Sequence, residues 1–147
     1  MGTRNLIKNI KTGAFIREFK GHQRGLACIQ YNGKVIASGS NDNTVRIWDA
    51  KNGRVLRVLM GHTDLVRTLI FNEKYIITGS YDQSIKVWDF NTGKCLHELA
   101  NGHSSWVFHV QMDHSRIVSS SQDRKIIVWD YFDANFDKSV KLDDFEL

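Results

Sequence analysis

The chain has 147 residues, of which 41% are hydrophobic and 24% are charged, and its formal net charge is +4. This apolar share is enough for a folded core, and no apolar run approaches the roughly 18 residues that span a bilayer. The start of the chain is polar, without the apolar segment of a secretory signal. The composition therefore predicts a cytoplasmic or nuclear protein with no membrane partner.

The two cysteines, Cys28 and Cys95, lie in apolar, strand-like segments without metal-ligand spacing. This pattern favours buried, reduced thiols over a disulfide or a metal site. Residues 132–147 form an acidic C-terminal tail of net charge −3, which leaves +7 on the preceding residues. We expect the tail to be flexible. A basic body favours acidic or phosphorylated partners, although scattered Lys and Arg on a solvated surface give the same charge.

Apolar alternation and turn residues predict short β-strands along the whole chain before the tail. The first is a segment at 14–20, which follows a Thr-Gly turn like the one at 92–93. In chain order the others are 26–31, 35–39, 44–49 and 54–60; then 65–71, 75–79, 84–89 and 95–100; then 106–112, 117–120 and 125–130. No regular fourth strand follows the last group. The fold class is therefore all-β, in groups of four strands.

A quartet of polar and aromatic residues recurs three times with fixed internal spacing and a period of 40 and then 41 residues. Each quartet has a Gly-His signal, a Ser or Thr, an Asp and a Trp-Asp pair. Self-similarity of this length with these signatures is typical of a WD-repeat β-propeller. The members are His22, Ser38, Asp42, Trp48; His62, Thr78, Asp82, Trp88; and His103, Ser119, Asp123, Trp129.

The repeats divide residues 1–131 into a partial propeller of about three four-stranded blades, with repeats at about 21–60, 61–101 and 102–131. The segment 14–20 becomes the fourth strand of a preceding or closing blade, because Lys8-Asn9 stands at the expected Trp-Asp position. Propellers close with roughly four to eight blades. The sequence therefore predicts either a fragment of a larger propeller or assembly with a second copy into a six-bladed ring.

Ser, His and Asp are also the members of a hydrolase triad, but a catalytic set normally occurs once. Threefold repetition favours a structural hydrogen-bond network in each blade, in which Trp donates to the hydroxyl, the hydroxyl to His, and His to Asp. Other chemistry is absent from the sequence: there is no phosphate-binding Gly-rich loop, no paired-Cys site and no His-Glu-x-x-His. His109 and His114 follow His103 without a carboxylate or Cys at ligand spacing. We expect no enzyme activity, no cofactor and no metal.

Function is then expected on the propeller rim, where loops present variable side chains on a rigid scaffold. If each first strand starts at this rim, the positions three and five after each quartet His and one before each quartet Asp point toward it. Arg, Tyr and Trp at such positions are typical of interface hot spots. The alternative is that Leu65, Trp106 and Phe108 pack between blades or line the channel. The nine positions are Gly25, Ala27, Asn41, Leu65, Arg67, Tyr81, Trp106, Phe108 and Gln122.

A closer resemblance rests on stretches in all three repeats, namely 21–28, 38–44, 56–59, 81–82, 85–89 and 117–121. With these stretches, residues 14–132 resemble the last three blades of the beta-transducin repeat-containing family, the F-box and WD-repeat substrate receptors of SCF-type ubiquitin ligases. The resemblance implies capture of a phosphorylated peptide on the rim. It also implies that ligase recruitment depends on an F-box and earlier blades outside these residues.

By position, the resemblance implies that six residues match family contact residues: Arg24, Gly25, Ala27, Leu65, Arg67 and Tyr81. Arg24 and Arg67 are suited to charge-assisted hydrogen bonds to phosphate. Two positions differ, because Asn41 stands where the family has Ser and Trp106 stands where it has Arg. The Trp106 difference removes one fixed cation from the expected site.

Three functions follow from these observations. The leading one is a protein-interaction scaffold that binds acidic or phosphorylated peptides for an SCF ubiquitin ligase. The second is a general WD-repeat scaffold that binds an unphosphorylated protein. The third, nucleic-acid binding by the basic body, is disfavoured because no strand face interleaves Lys and Arg with aromatics.

Overall fold

The computed structural model describes residues 4–130, with side chains described from residue 8 onward. All regular structure in this range is β-strand, and no helix in it could span a bilayer. The strands are β1 (Arg4–Lys8), β2 (Phe15–Lys20), β3 (Leu26–Tyr31), β4 (Val35–Ser40), β5 (Val45–Asp49), β6 (Val55–Leu59), β7 (Val66–Phe71), β8 (Tyr75–Ser80), β9 (Ile85–Asp89), β10 (Cys95–Leu99), β11 (Val107–Met112), β12 (Arg116–Ser121) and β13 (Ile126–Asp130).

The strands form consecutive antiparallel sheets that follow the repeats. The first blade is β3-β4-β5-β6, the second is β7-β8-β9-β10, and the third contributes β11-β12-β13. Each is a meander in which neighbouring strands in sequence are also neighbours in the sheet. The all-β, partial-propeller prediction is confirmed. The predicted strands agree with the observed ones to within one residue at each end, and the acidic tail at 132–147 lies outside the described residues.

The two-stranded sheet β1-β2 comes before the first blade in the chain. Its turn repeats the turn between β5 and β6, because Asn9 N–H donates to Ala14 O at 2.8 Å as Asp49 N–H donates to Arg54 O at 2.8 Å. Phe19 of β2 packs edge-on against Trp48, with ring centroids 5.7 Å apart. β2 pairs with β1 and not with β13. The assignment of 14–20 to a preceding or a closing blade stays a prediction.

The core lies between blades, because each sheet buries one face against the next sheet. The first strands β3, β7 and β11 pack side by side, and Trp48 and Trp88 are almost fully buried. One cluster joins the first and second blades: Ala37, Val45, Ile47, Leu59, Val66, Leu69, Ile76 and Trp88. The other joins the second and third blades: Ile77, Ile85, Val87, Leu99, Val107, Val110, Ile117 and Trp129.

Glycine sets the distance between blades on the second strand. A Cβ at Gly79 would lie 2.6 Å from Val107 Cγ1 and 2.8 Å from Thr68 Cγ2, and a Cβ at Gly39 would meet Cys28 and Val66 equally closely. These contacts are with buried or half-buried side chains that cannot rotate away freely. The backbones of β4 and β8 therefore approach the next blade more closely than any other residue type allows at Gly39 and Gly79.

We expect Gly79→Ala to lower the free energy of unfolding by about 1–3 kcal/mol, because the added methyl overpacks the interface between the second and third blades. Gly25→Ala is the matched control, since nothing lies within 4 Å of its Cβ position. Urea denaturation followed by circular dichroism measures both variants. Equal stabilities for the two variants would show that the blades can separate without cost.

Candidate functional site

Each quartet forms a continuous hydrogen-bond network that ties together three parts of its blade. In the second blade, Trp88 Nε1–H donates to Thr78 Oγ1 at 2.9 Å, His62 Nε2 lies 2.7 Å from the same hydroxyl, and His62 Nδ1 lies 2.7 Å from Asp82 Oδ2. The first and third blades repeat these contacts between 2.7 and 3.0 Å. Since the indole can only donate, the hydroxyl proton goes to Nε2, and Nδ1–H donates to Asp.

Two further groups bind the quartet Asp and were not anticipated from the sequence. The backbone N–H after each quartet His donates to Asp Oδ2, from Gln23, Thr63 and Ser104 at 3.0–3.1 Å. In the first two blades a hydroxyl two residues after the Asp, from Thr44 or Ser84, donates to Oδ1 at 2.6 Å. A hydroxyl residue at this position in the first two repeats could have indicated the contact from the sequence, but the third repeat has Lys125 there.

These bonds set the ionisation of the network. Burial alone would raise the pKa of the Asp42 and Asp82 carboxyls, but hydrogen bonds from the hydroxyl, the histidine and the backbone outweigh it and hold both pKa values well below the usual range. Burial would also raise the pKa of the Asp123 carboxyl. Hydrogen bonds from the Ser104 backbone and from His103 outweigh this effect and lower the pKa to about 2. Burial lowers the pKa of His22 despite its Asp42 partner. At neutral pH, therefore, the carboxylates are ionised and His22 is uncharged.

The network hydroxyls are inaccessible to a substrate. Ser38, Thr78 and Ser119 are at most 1% exposed. Each already accepts an indole N–H and faces an imidazole. A hydroxyl enclosed in this way can fix the loop that enters the blade to its second and third strands, but it cannot attack a bound ligand.

The rim is the end of the blades formed by the segments 22–27, 62–67 and 103–108 together with the turns 40–44, 80–84 and 121–125. A backbone hydrogen bond joins two predicted positions in each blade. Asn41 N–H donates to Gly25 O at 2.9 Å, and the matching bonds from Tyr81 to Leu65 and from Gln122 to Trp106 are both 3.0 Å. The residue three after each His therefore lies beside the residue before each Asp.

The third predicted position in each blade is a β-bulge. The pairing register of the first strand shifts between Leu26 and Cys28, and the same shift flanks Arg67 and Phe108 in the second and third blades. A bulge leaves one residue unpaired and re-aims its side chain. Ala27 is half-buried, whereas Arg67 and Phe108 are exposed. The bulge was not foreseen, because the apolar alternation that predicts a strand carries no signal of one unpaired residue.

Three of the predicted residues form an aromatic cluster, which consists of Tyr81, Trp106 and Phe108. The Tyr81 and Trp106 rings are stacked, with centroids 4.4 Å apart and planes 8° apart. Phe108 contacts both rings edge-on, at 6.2 and 6.5 Å. Trp106 is 42% exposed and Phe108 is 37% exposed. Both therefore reach the surface, although a contact between them and a partner stays a prediction.

The predicted arginines lie on the first two blades. Arg24 is exposed beside Gly25, and Arg67 is exposed on its bulge. Within the described residues, the Arg67 guanidinium forms no hydrogen bond or ion pair. Burial raises the pKa of the Cys28 thiol, and the Arg67 charge partly opposes that rise. The rim therefore presents cationic groups on the first and second blades and an aromatic surface between the second and third blades.

Comparisons with known proteins agree with this architecture. The family model for "WD domain, G-beta repeat" matches residues 13–49, 53–89 and 93–130, well over half of the chain. Two computationally designed proteins are similar in structure: Ika4 has a TM-score of 0.80 at 32% identity, covering 86% of this chain and 79% of that one. Ika8 has a TM-score of 0.81 at 32% identity, covering 86% of this chain and 40% of that one.

Curated relatives match over a short stretch. The "Probable E3 ubiquitin ligase complex SCF subunit sconB" of Neosartorya fischeri is 47% identical over 36 residues, which is 24% of this chain and 5% of that protein. The protein of the same name from Aspergillus niger is 50% identical over 34 residues, 23% of this chain and 5% of that protein. The matched stretch thus spans about one twentieth of these relatives.

Proposed function

The chain belongs to the WD domain, G-beta repeat family, and we propose that it is part of an F-box/WD-repeat-type substrate receptor whose rim binds acidic or phosphorylated peptides. The coarser role is that of a WD-repeat protein-interaction scaffold. The proposal adds the ligand chemistry, the ligase that uses it, and a cytoplasmic or nuclear location. Its support comes from the rim side chains and from the relatives.

The exposed Arg67 guanidinium is the observation that carries the ligand chemistry. It projects from a bulge on the rim without a hydrogen-bond or ion-pair partner in the described part of the chain. Guanidinium groups bind phosphate and carboxylate oxygens through paired, charge-assisted hydrogen bonds. Arg24 and Tyr81 stand on the same rim, so a bound peptide would meet a second cation and an aromatic hydroxyl.

The ligase assignment is supported by the sconB relatives, whose printed name is a probable SCF subunit. The short matched stretch supports a common repeat type, and the resemblance of the rim residues to contact positions of the F-box and WD-repeat receptors supports the rest of the proposal. In this proposal the present blades hold the peptide, and an F-box elsewhere in the assembly recruits the ligase.

The same proposal requires further blades. Leu26 and Ile29 on the outer face of the first blade are 37% and 60% exposed, whereas the matching Val66 and Leu69 between blades are 0% and 3% exposed. On the other side, Ile126 of the third blade is 74% exposed. Both outer faces therefore present apolar positions that a blade interface buries. We propose that remaining blades or a second copy cover them and complete the ring.

We expect Arg67→Ala to weaken binding of phosphopeptides by about tenfold to a hundredfold, as the loss of charge-assisted hydrogen bonds implies. The measurement is fluorescence anisotropy with a fluorescein-labelled degenerate peptide library centred on phosphoserine, compared with the same library centred on serine. Arg54→Ala is the control, because it removes an exposed arginine at the opposite end of the blade.

Equal binding of the two libraries, or phosphopeptide binding that Arg67→Ala leaves unchanged, would reject phosphate recognition. Binding of the serine library alone would favour the general scaffold for an unphosphorylated protein. A strongly salt-dependent affinity for nucleic acid would instead favour the nucleic-acid hypothesis.

A further inference from the structure

We propose that the aromatic cluster of Tyr81, Trp106 and Phe108 is a second, apolar subsite of the rim, which holds an aromatic or branched aliphatic side chain close to the peptide's acidic group. The inference rests on the proposed function and adds to it. It makes the rim a two-part site in which Arg67 selects charge and the aromatic cluster selects an apolar residue.

The rings of the aromatic cluster pack against one another and still expose part of their surface to solvent. Trp106 and Phe108 expose 42% and 37% of their surfaces at the rim, while Tyr81 is half-buried behind them. Aromatic side chains supply large contact areas at low entropic cost, and exposed clusters of them mark interaction sites. The Tyr81–Trp106 stack fixes the indole before a ligand arrives. A ligand side chain therefore meets a pre-organised apolar surface.

The ring geometry favours an apolar side chain over a cation. A cage for a cation needs rings on several sides of an open space. Here Tyr81 and Trp106 are parallel and 4.4 Å apart, so no group can enter between them. Arg67 on the neighbouring first strand adds positive charge to the same rim. The open surface of the cluster is therefore suited to an uncharged side chain.

The two subsites belong to one site because neighbouring strands position them. Arg67 and Phe108 are the bulge residues of the adjacent strands β7 and β11. Tyr81 is bonded through its backbone to Leu65, two residues before Arg67. A short extended peptide can therefore reach both subsites at once, with its acidic group toward the second blade and its apolar residue toward the third.

A polar group also stands beside the cluster to bind peptide backbone. Gln122 is exposed, and Ser105 Oγ–H donates to its Oε1 at 2.8 Å. This bond fixes the amide and leaves its NH2 group free of hydrogen-bond partners among residues 8–130. The NH2 group is then placed to donate to a carbonyl of a peptide whose side chain lies on Trp106.

The test uses fluorescein-labelled peptides that carry one phosphoserine followed, after one to three glycines, by Phe, Leu, Ala or Arg. At the best spacing we expect the Phe and Leu peptides to bind about tenfold more tightly than the Ala peptide. Trp106→Ala should abolish this preference and leave the affinity for the Ala peptide within about twofold. Trp106→Phe should keep most of the preference, and Arg67→Ala should keep the preference while weakening every peptide. Met60→Ala, an exposed apolar residue beyond β6, is the control.

Other outcomes overturn the inference. If phosphoserine peptides bind equally well whatever the second residue is, the aromatic subsite is wrong while the proposed function stands. The same holds if the Arg peptide binds best, or if Trp106→Ala weakens all four peptides equally. If no peptide binds the wild-type protein, the proposed function and the inference both fail.

Discussion

Replacement of Trp88 by alanine should lower the free energy of unfolding by about 3–5 kcal/mol, the range for large-to-small changes at buried aromatic positions. Trp88 is 2% exposed, packs in the cluster between the first and second blades, and donates to Thr78 Oγ1. The substitution leaves a cavity and removes the first donor of the network. Because small domains are stable by only about 5–15 kcal/mol, this loss is a large share of the total stability.

Urea denaturation followed by circular dichroism measures this effect, and Trp106→Ala is its matched control. Both substitutions replace Trp by Ala, but Trp106 is 42% exposed and lies outside the two core clusters. We expect Trp106→Ala to lower the free energy of unfolding by only about 1 kcal/mol, through loss of the ring contacts with Tyr81 and Phe108. Equal destabilisation by the two variants would contradict the assignment of Trp88 to the core and of Trp106 to the surface.

Asp82→Ala should destabilise the second blade by about 3 kcal/mol at pH 7, since it breaks a nearly buried hydrogen-bonded pair. The carboxylate accepts from His62 Nδ1 at 2.7 Å, from Thr63 N–H at 3.1 Å, and from both the N–H and the hydroxyl of Ser84 at 2.9 and 2.6 Å. Without the carboxylate, the His62 Nδ1–H group loses its acceptor, and water cannot easily replace it because the His62 side chain is only 1% exposed. Asp64→Ala is the control, because Asp64 is exposed and its carboxylate binds the adjacent Leu65 N–H.

The Asp82 effect should also depend on pH. The folded state lowers the pKa of this carboxyl, so its stabilisation is complete above the unfolded pKa of about 4 and is lost as the pH falls through the folded value. The stability difference between wild type and Asp82→Ala should therefore be constant from pH 7 to about 5 and shrink toward pH 2. A difference that grows on acidification would contradict an ionised Asp82. Denaturation midpoints measured at each pH decide between these outcomes.

The strands and the quartets could be predicted because both depend on local patterns. Alternating apolar residues such as those of β9 point to opposite faces of a strand, and turns at Asn52-Gly53 or Thr92-Gly93 end the strands. The fixed spacing of His, hydroxyl, Asp and Trp reflects four positions that meet once per blade. Repetition also favoured a structural role for the quartets over a catalytic one, since a catalytic set normally occurs once.

The rim could be predicted only in outline. β1 was missed because its five residues lack the Trp-Asp pair that ends β5, β9 and β13. The bulges at Arg67 and Phe108 came from pairing with the neighbouring strand, which no local window records. The stacking of Tyr81 on Trp106 joins residues of different blades, so it depends on how the sheets pack.

The sequence by itself therefore determined the all-β repeat architecture, the positions of every strand except β1, and the quartet residues of each hydrogen-bond network, because these follow from spacing within one repeat. The tertiary structure alone decided which rim side chains of different blades meet and which of them are exposed. Those properties depend on contacts between residues about 25 to 40 positions apart, which form only when consecutive sheets bury their apolar faces against each other.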